Sequence, residues 1–183
     1  MTQRKAFLTK EQSLLLRGIA IFLVLISHYA VWIGEIFHSD LLEYGLGRFG
    51  VYGVDLFFAV SGYGLVKSVG KKRINGTFLW KRFKTVYLPY LLIVGLITVY
   101  DGGISGMTGW VSFLTGAEYW YIRNILVFYL AFYVVYRLSD RSWVRMLLMA
   151  VCLMAYSGLL IWQGRALFWY ISNVTFLFGM LLA

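Results

Sequence analysis

Two histidines, one cysteine and one proline are all that 183 residues contain of those types, and eight acids stand against seventeen lysines and arginines. With Cys152 alone no intrachain disulfide can form, and its place in an apolar run reads as a small buried hydrophobe. His28 is the one histidine inside an apolar run, while His38 follows that run. A haem ligated by two intramembrane histidines therefore lacks its second ligand, which ranks a cytochrome-like bundle or small transporter last. Asp55 is the one acid well inside an apolar span, Glu35 standing at the outer end of its own, and no metal site is expected. The chain also lacks a repeat of fixed period, a low-complexity tract and a soluble domain.

Hydrophobic residues are abundant instead, at 61% of positions with a mean hydropathy of +0.74. Soluble domains hold about 45–50% apolar residues, so this composition describes an integral membrane protein. Runs of about 20 apolar residues recur, each long enough for a hydrocarbon core about 30 Å thick, and they are continuous rather than alternating, which selects helices over a barrel. Six spans are expected, at residues 14–36, 51–69, 83–100, 119–136, 145–162 and 167–183, giving an all-α polytopic bundle. The first is too long for a signal peptide, lacks a small-residue cleavage site and reads as a retained helix. The last span ends without a flanking polar anchor, as expected of a helix held by neighbours or of the N-terminal piece of a longer protein.

The net charge of +9 would point to nucleic acid in a soluble protein, but here it reports topology, and no nucleic-acid partner is expected. Fourteen cations fall on one side: Arg4, Lys5, Lys10 and Arg17; Lys67, Lys71, Lys72, Arg73, Lys81, Arg82 and Lys84; Arg137, Arg141 and Arg145. The other side has Arg48 and Arg165, and Arg123 lies within a span. The positive-inside rule then places the N-terminus in the cytoplasm of a multi-pass cell-membrane protein. Glu35, Asp40, Glu43, Asp101 and Glu118 fall in or beside outside connections. The glycine-rich stretch 101–118, with its apolar patch at 110–114, suits a loop dipping into the interface. Pro89 near the start of the third span is expected to bend that helix and free a carbonyl.

Arg17 and His28 share the first span. Eleven residues at 100° each return to within about 20° of one face, with the two side chains roughly 16 Å apart along the axis. One stripe thus carries a cation at a boundary and a titratable imidazole deeper in. The plainer readings are a histidine hydrogen-bonded to a neighbouring helix and an arginine that snorkels to the headgroups. An acid in a span costs roughly 2.5–3.5 kcal/mol at the bilayer centre, so Asp55 needs a partner. Arg123, at a similar depth, suits an ion pair, and contact with the His28 ring is the competing use. Lys71, Lys72, Arg73, Lys81, Arg82 and Lys84 gather at the cytoplasmic mouth, where such a rim is topogenic or holds a phosphate-bearing donor. The sequons at Asn75 and Asn173 are read as accidental. Gly62 and Gly64 follow no strand, so close helix packing suits them better than a dinucleotide loop.

Four segments together resemble the successive motifs of acyltransferase family 3. They are Arg17-Gly18-Ile19-Ala20 through Ser27-His28; Gly53-Val54-Asp55-Leu56-Phe57-Phe58-Ala59-Val60-Ser61-Gly62-Tyr63; Phe78-Leu79-Trp80-Lys81-Arg82 to Tyr87-Leu88-Pro89-Tyr90; and Trp120-Tyr121 to Phe128-Tyr129. These are integral membrane O-acyltransferases that often O-acetylate bacterial surface glycans. The resemblance implies one acyltransferase-like domain over residues 1–183. His28 would be catalytic and Arg17 its partner, with Asp55 orienting the ring or pairing. Arg82, helped by Lys81 and Lys84, would hold an acyl-CoA donor such as acetyl-CoA. No bound cofactor is implied, and the acceptor would be a carbohydrate or glycolipid. Members often have a second arginine where this chain has Lys84, which offers charge without a bidentate fork. They usually have about ten helices, so a truncated form or a non-catalytic interaction module is the alternative.

Overall fold

The computed structural model of the chain describes residues 7–70, 74–100 and 102–183. Arg4, Lys5, Lys71, Lys72, Arg73 and Asp101, which entered the charge reading, lie outside them. The described residues form α-helices joined by turns, without a strand. Five helical segments are long and apolar enough to cross a membrane: Lys10–Phe37, Leu41–Val69, Thr77–Tyr100, Trp120–Leu138 and Ser142–Trp162. The sixth expected span differs. It is broken at Ser172 into two short helices that together cover Phe168–Leu181, and 14 residues at 1.5 Å each reach only about 21 Å. The chain divides into two compact units, residues 1–70 with 155–183 and residues 71–154.

In the first unit, α1 (Lys10–Phe37) begins a turn earlier than hydropathy suggests. The reason is a capping box: Thr9 accepts from the Gln12 N–H, and the Gln12 side chain accepts from the Thr9 N–H. The helix ends at His38, whose φ of 50° closes it in the left-handed conformation while its N–H returns to Gly34. A π-helical turn (Leu41–Gly45) and a 3-10 turn (Leu46–Arg48) then fold back against α1 and lead into α2 (Phe49–Val69). The buried face of α1 is built from small residues, Ala20, Ser27, Ala30 and Gly34. On α2, Gly50 and Gly53 meet it: a Cβ on Gly53 would stand 2.7 Å from the Ala20 carbonyl oxygen. The Ser27 hydroxyl donates to the Gly47 carbonyl. Further along α2, Gly62 meets the backbone of α9 (Asn173–Leu181) at Phe176, and Gly179 of α9 meets the backbone of α2 at Ala59, so neither position has room for a side chain. Small residues let these helices approach to backbone contact, as expected for Gly62.

The second unit is built differently. Its first span runs through α3 (Thr77–Arg82), a π-helical turn (Phe83–Tyr87) and α4 (Leu88–Tyr100) without interruption. The widened turn sits just before Pro89, where the proline ring would collide with the carbonyl four residues back, and the Leu88 N–H reaches five residues back to Phe83. The stretch expected to dip into the interface holds a short helix, α5 (Gly106–Thr115), that ends at Gly116 with a φ of 64°. Tyr87 and Tyr90 of the preceding span donate to the Leu114 and Phe113 carbonyls, each at 2.6 Å. The Leu114 carbonyl is one that a helix end leaves open, and the Phe113 carbonyl accepts from the Gly116 N–H as well, so the two hydroxyls tie the end of α5 to the preceding span. The helices α6 (Trp120–Leu138) and α7 (Ser142–Trp162) follow, and α7 runs on into the first unit. Cys152, expected to be buried, is exposed on α7. In a membrane span the outward face is itself apolar, so hydrophobicity does not predict burial there. Residues 168–171 form α8 (Phe168–Ile171).

Candidate active site

Because α1 is unbroken from Lys10 to Phe37, the eleven-residue interval between Arg17 and His28 becomes the expected geometry, one stripe with roughly 16 Å between its ends. The two ends differ in surroundings. Arg17 lies against α2 at Gly64, where an added Cβ would stand 3.4 Å from its Nη2, and its Nε is buried without a hydrogen-bond partner among the described residues. The guanidinium thus lies along the neighbouring helix, and Gly64 supplies the bare backbone beside it.

His28 corrects an expectation. Its ring is exposed on the described chain rather than buried. The packed face of α1 passes through Ser27, and the next residue turns 100° away from it, so protein packing covers the serine and leaves the imidazole open. Among the described residues the ring makes no hydrogen bond and no ion pair. The plain reading of a histidine satisfied by a neighbouring helix therefore does not describe it among the described residues.

Asp55 is half-buried on the side of α2 that meets the residues around α9. Its neighbour is the Ser172 hydroxyl, at the break between α8 and α9. The Asp55 Oδ1 and Ser172 Oγ are both buried without a conventional hydrogen bond among the described residues. Asp55 is not brought to His28: α1 packs on the glycine face of α2, and Asp55 looks elsewhere. Beside Ser172, Asn173 is 1% exposed and donates to the Ser157 hydroxyl at 2.9 Å, so the Asn173 sequon is occupied internally, as its accidental reading required. Tyr63, at the other end of α2, accepts from the Leu8 N–H at 2.9 Å and donates to the Leu8 carbonyl at 3.1 Å, which ties down the approach to α1.

In the second unit Arg82 ends α3. Its guanidinium carbon stands 5.4 Å from the Phe78 ring centroid and 5.5 Å from that of Tyr129, and its Nε is buried without a hydrogen-bond partner among the described residues. Lys81 is exposed, and the Lys84 ammonium lies 5.0 Å over Trp80. Arg123 stands in the first turn of α6 with interactions of its own. Ser172 was missed by the sequence reading, although a Ser-Asn pair inside an apolar run was a usable signal for it. Gly64 was expected at a close helix contact, and Phe78 and Tyr129 stood in the quoted motifs, but their places beside Arg17 and Arg82 depend on packing.

The five long apolar helices describe a multi-pass membrane protein, with an arginine and a histidine on one stripe of its first helix. The family model described as Acyltransferase domain, acyltransferase family 3, matches residues 14–183, and the chain belongs to that family. It is thus a membrane acyltransferase in its general kind. No curated protein and no solved structure matches the chain.

Proposed function

We propose that the chain serves O-acyl transfer in the cell membrane, moving an acyl group, acetyl in the first instance, from cytoplasmic acyl-CoA to a hydroxyl of a cell-surface or lipid-linked carbohydrate. The observation that carries this reading is an accessible imidazole and a partly buried guanidinium on one stripe of an unbroken helix, within a chain of the acyltransferase family. Neutral His28 takes the proton of the acceptor hydroxyl as its oxygen attacks the thioester carbonyl. The C–O bond forms, the C–S bond breaks, and the imidazolium returns the proton to the CoA sulfur, leaving an ester and free CoA. Arg82 offsets donor phosphates, with Lys81 and Lys84 adding charge at the entrance, and Arg17 is the partner of His28 on α1. Asp55, turned toward Ser172, supports α2 rather than touching the ring.

The test is acetyl transfer from labelled acetyl-CoA to the glycolipid fraction of membranes carrying the full chain. General-base catalysis is worth about 10²- to 10⁴-fold, so His28→Ala is expected to lose rate by that factor while inserting normally. A His28→Ala protein that transfers at the original rate sinks the assignment.

A further inference from the structure

Three arginines lean on one aromatic column along the lower half of α6, and they differ in what their N–H groups do. Phe78 of α3 stacks on Phe132 at 5.7 Å and on Tyr133 at 6.3 Å, and Phe132 stacks on Tyr136 at 3.9 Å. Arg145 lies 4.2 Å over Tyr136, donates from Nε to the Ser139 carbonyl at 2.6 Å and pairs with Asp140 at 3.3 Å. Arg137 lies over Tyr133 and donates to its hydroxyl at 2.8 Å. Both are engaged by protein acceptors. Arg82 is held by two rings, Phe78 and Tyr129, and its guanidinium makes no hydrogen bond or ion pair among the described residues.

A ring attracts a guanidinium through its π face, whereas an anion is bound by the in-plane N–H groups, so the two interactions do not compete. Phe78 is 8% exposed, Tyr129 5% and Phe132 0%, so both rings are fixed by packing and Arg82 has little freedom to swing. We propose that Phe78 and Tyr129 are positioning residues. They hold Arg82 as a preset phosphate-binding edge, which makes the site selective for a thioester donor carrying the phosphates of CoA over one carrying pantetheine alone. This rests on the acyl-CoA reading of the proposed function and assigns to two aromatic side chains the selection of the donor.

The experiment measures equilibrium binding of CoA and of pantetheine to the full chain in lipid nanodiscs. Phe78→Leu and Tyr129→Leu are expected each to weaken CoA by about tenfold and pantetheine by less than about twofold, the size of a desolvated cation–π contact. Tyr129→Phe, which keeps the ring, keeps CoA affinity, and neither leucine change adds to the loss caused by Arg82→Gln. Pantetheine binding reports folding, should Phe78→Leu disturb it. The proposal is overturned if the leucine variants bind CoA like the parent protein, if they weaken both probes alike, or if their losses multiply with that of Arg82→Gln. Parent protein that binds no CoA would instead remove the acyl-CoA reading, and the positioning role with it. CoA that binds the parent and Arg82→Gln equally would leave that reading standing and dismiss the positioning role.

Discussion

The two compact units solve the problem of holding helices together in lipid in opposite ways. Around α2 in the first unit the contacts are made by absence: Gly53 against Ala20, Gly62 against Phe176, Gly179 against Ala59. In the second unit they are made by aromatic bulk and by hydroxyls, with the column on α6 and the two tyrosines that hold the end of α5. Lipid tails are as apolar as leucine, so burying leucine gains little there; what remains is close backbone approach or hydrogen bonds and ring stacking. The contrast teaches where each unit tolerates change. Glycine contacts fail when a side chain is added, and tyrosine contacts fail when an atom is removed.

The largest break is expected at Gly179→Leu, which inserts a side chain where the α2 backbone already touches α9. Overpacking of this kind costs about 3 kcal/mol, read as a lowered midpoint in denaturant titration of the reconstituted protein. An unchanged midpoint would mean that α9 is not packed as described. Next comes Tyr90→Phe. Tyr90 is 5% exposed, and losing its bond to the Phe113 carbonyl should cost about 1 kcal/mol and speed amide hydrogen exchange across α5. If exchange in α5 stays slow, the tyrosine hydroxyl is not what anchors it. Smallest, and opposite in sign, is Gly64→Ala. The new methyl meets only the flexible end of Arg17, so the gain in helix propensity, up to about 1 kcal/mol, should keep the protein at least as stable. A clear loss of stability there would show that Arg17 cannot shift and is clamped rather than resting.

Much of this was legible from residues. The first, second, fourth and fifth spans lie close to where hydropathy puts them, because a span is defined by its solvent and not by its partners. Where boundaries moved, local chemistry explains it: the Thr9–Gln12 box lengthened α1, and the widened turn before Pro89 let helix run back to Thr77. The sixth span was misjudged as continuous, since an apolar run carries no sign of where its helix will break beyond the small polar pair Ser172 and Asn173. At the site, the Arg17–His28 stripe followed from periodicity alone. The exposure of His28, the turn of Asp55 toward Ser172 and the two-ring grip on Arg82 did not follow, since each depends on which face of a helix meets a neighbour.

The sequence by itself determined that the chain lives in a membrane, that its segments are helices, and that a cation and an imidazole share one face of the first. Those properties come from composition and from the fixed 100° step of the α-helix, which need no partner to act. Only the tertiary structure decided which buried side-chain atoms lack a hydrogen-bond partner among the described residues, Arg17 Nε, Arg82 Nε, Asp55 Oδ1 and Ser172 Oγ with them. In a medium with no water to satisfy a polar atom, its state is set by what neighbouring helices bring to it, and that is a property of packing.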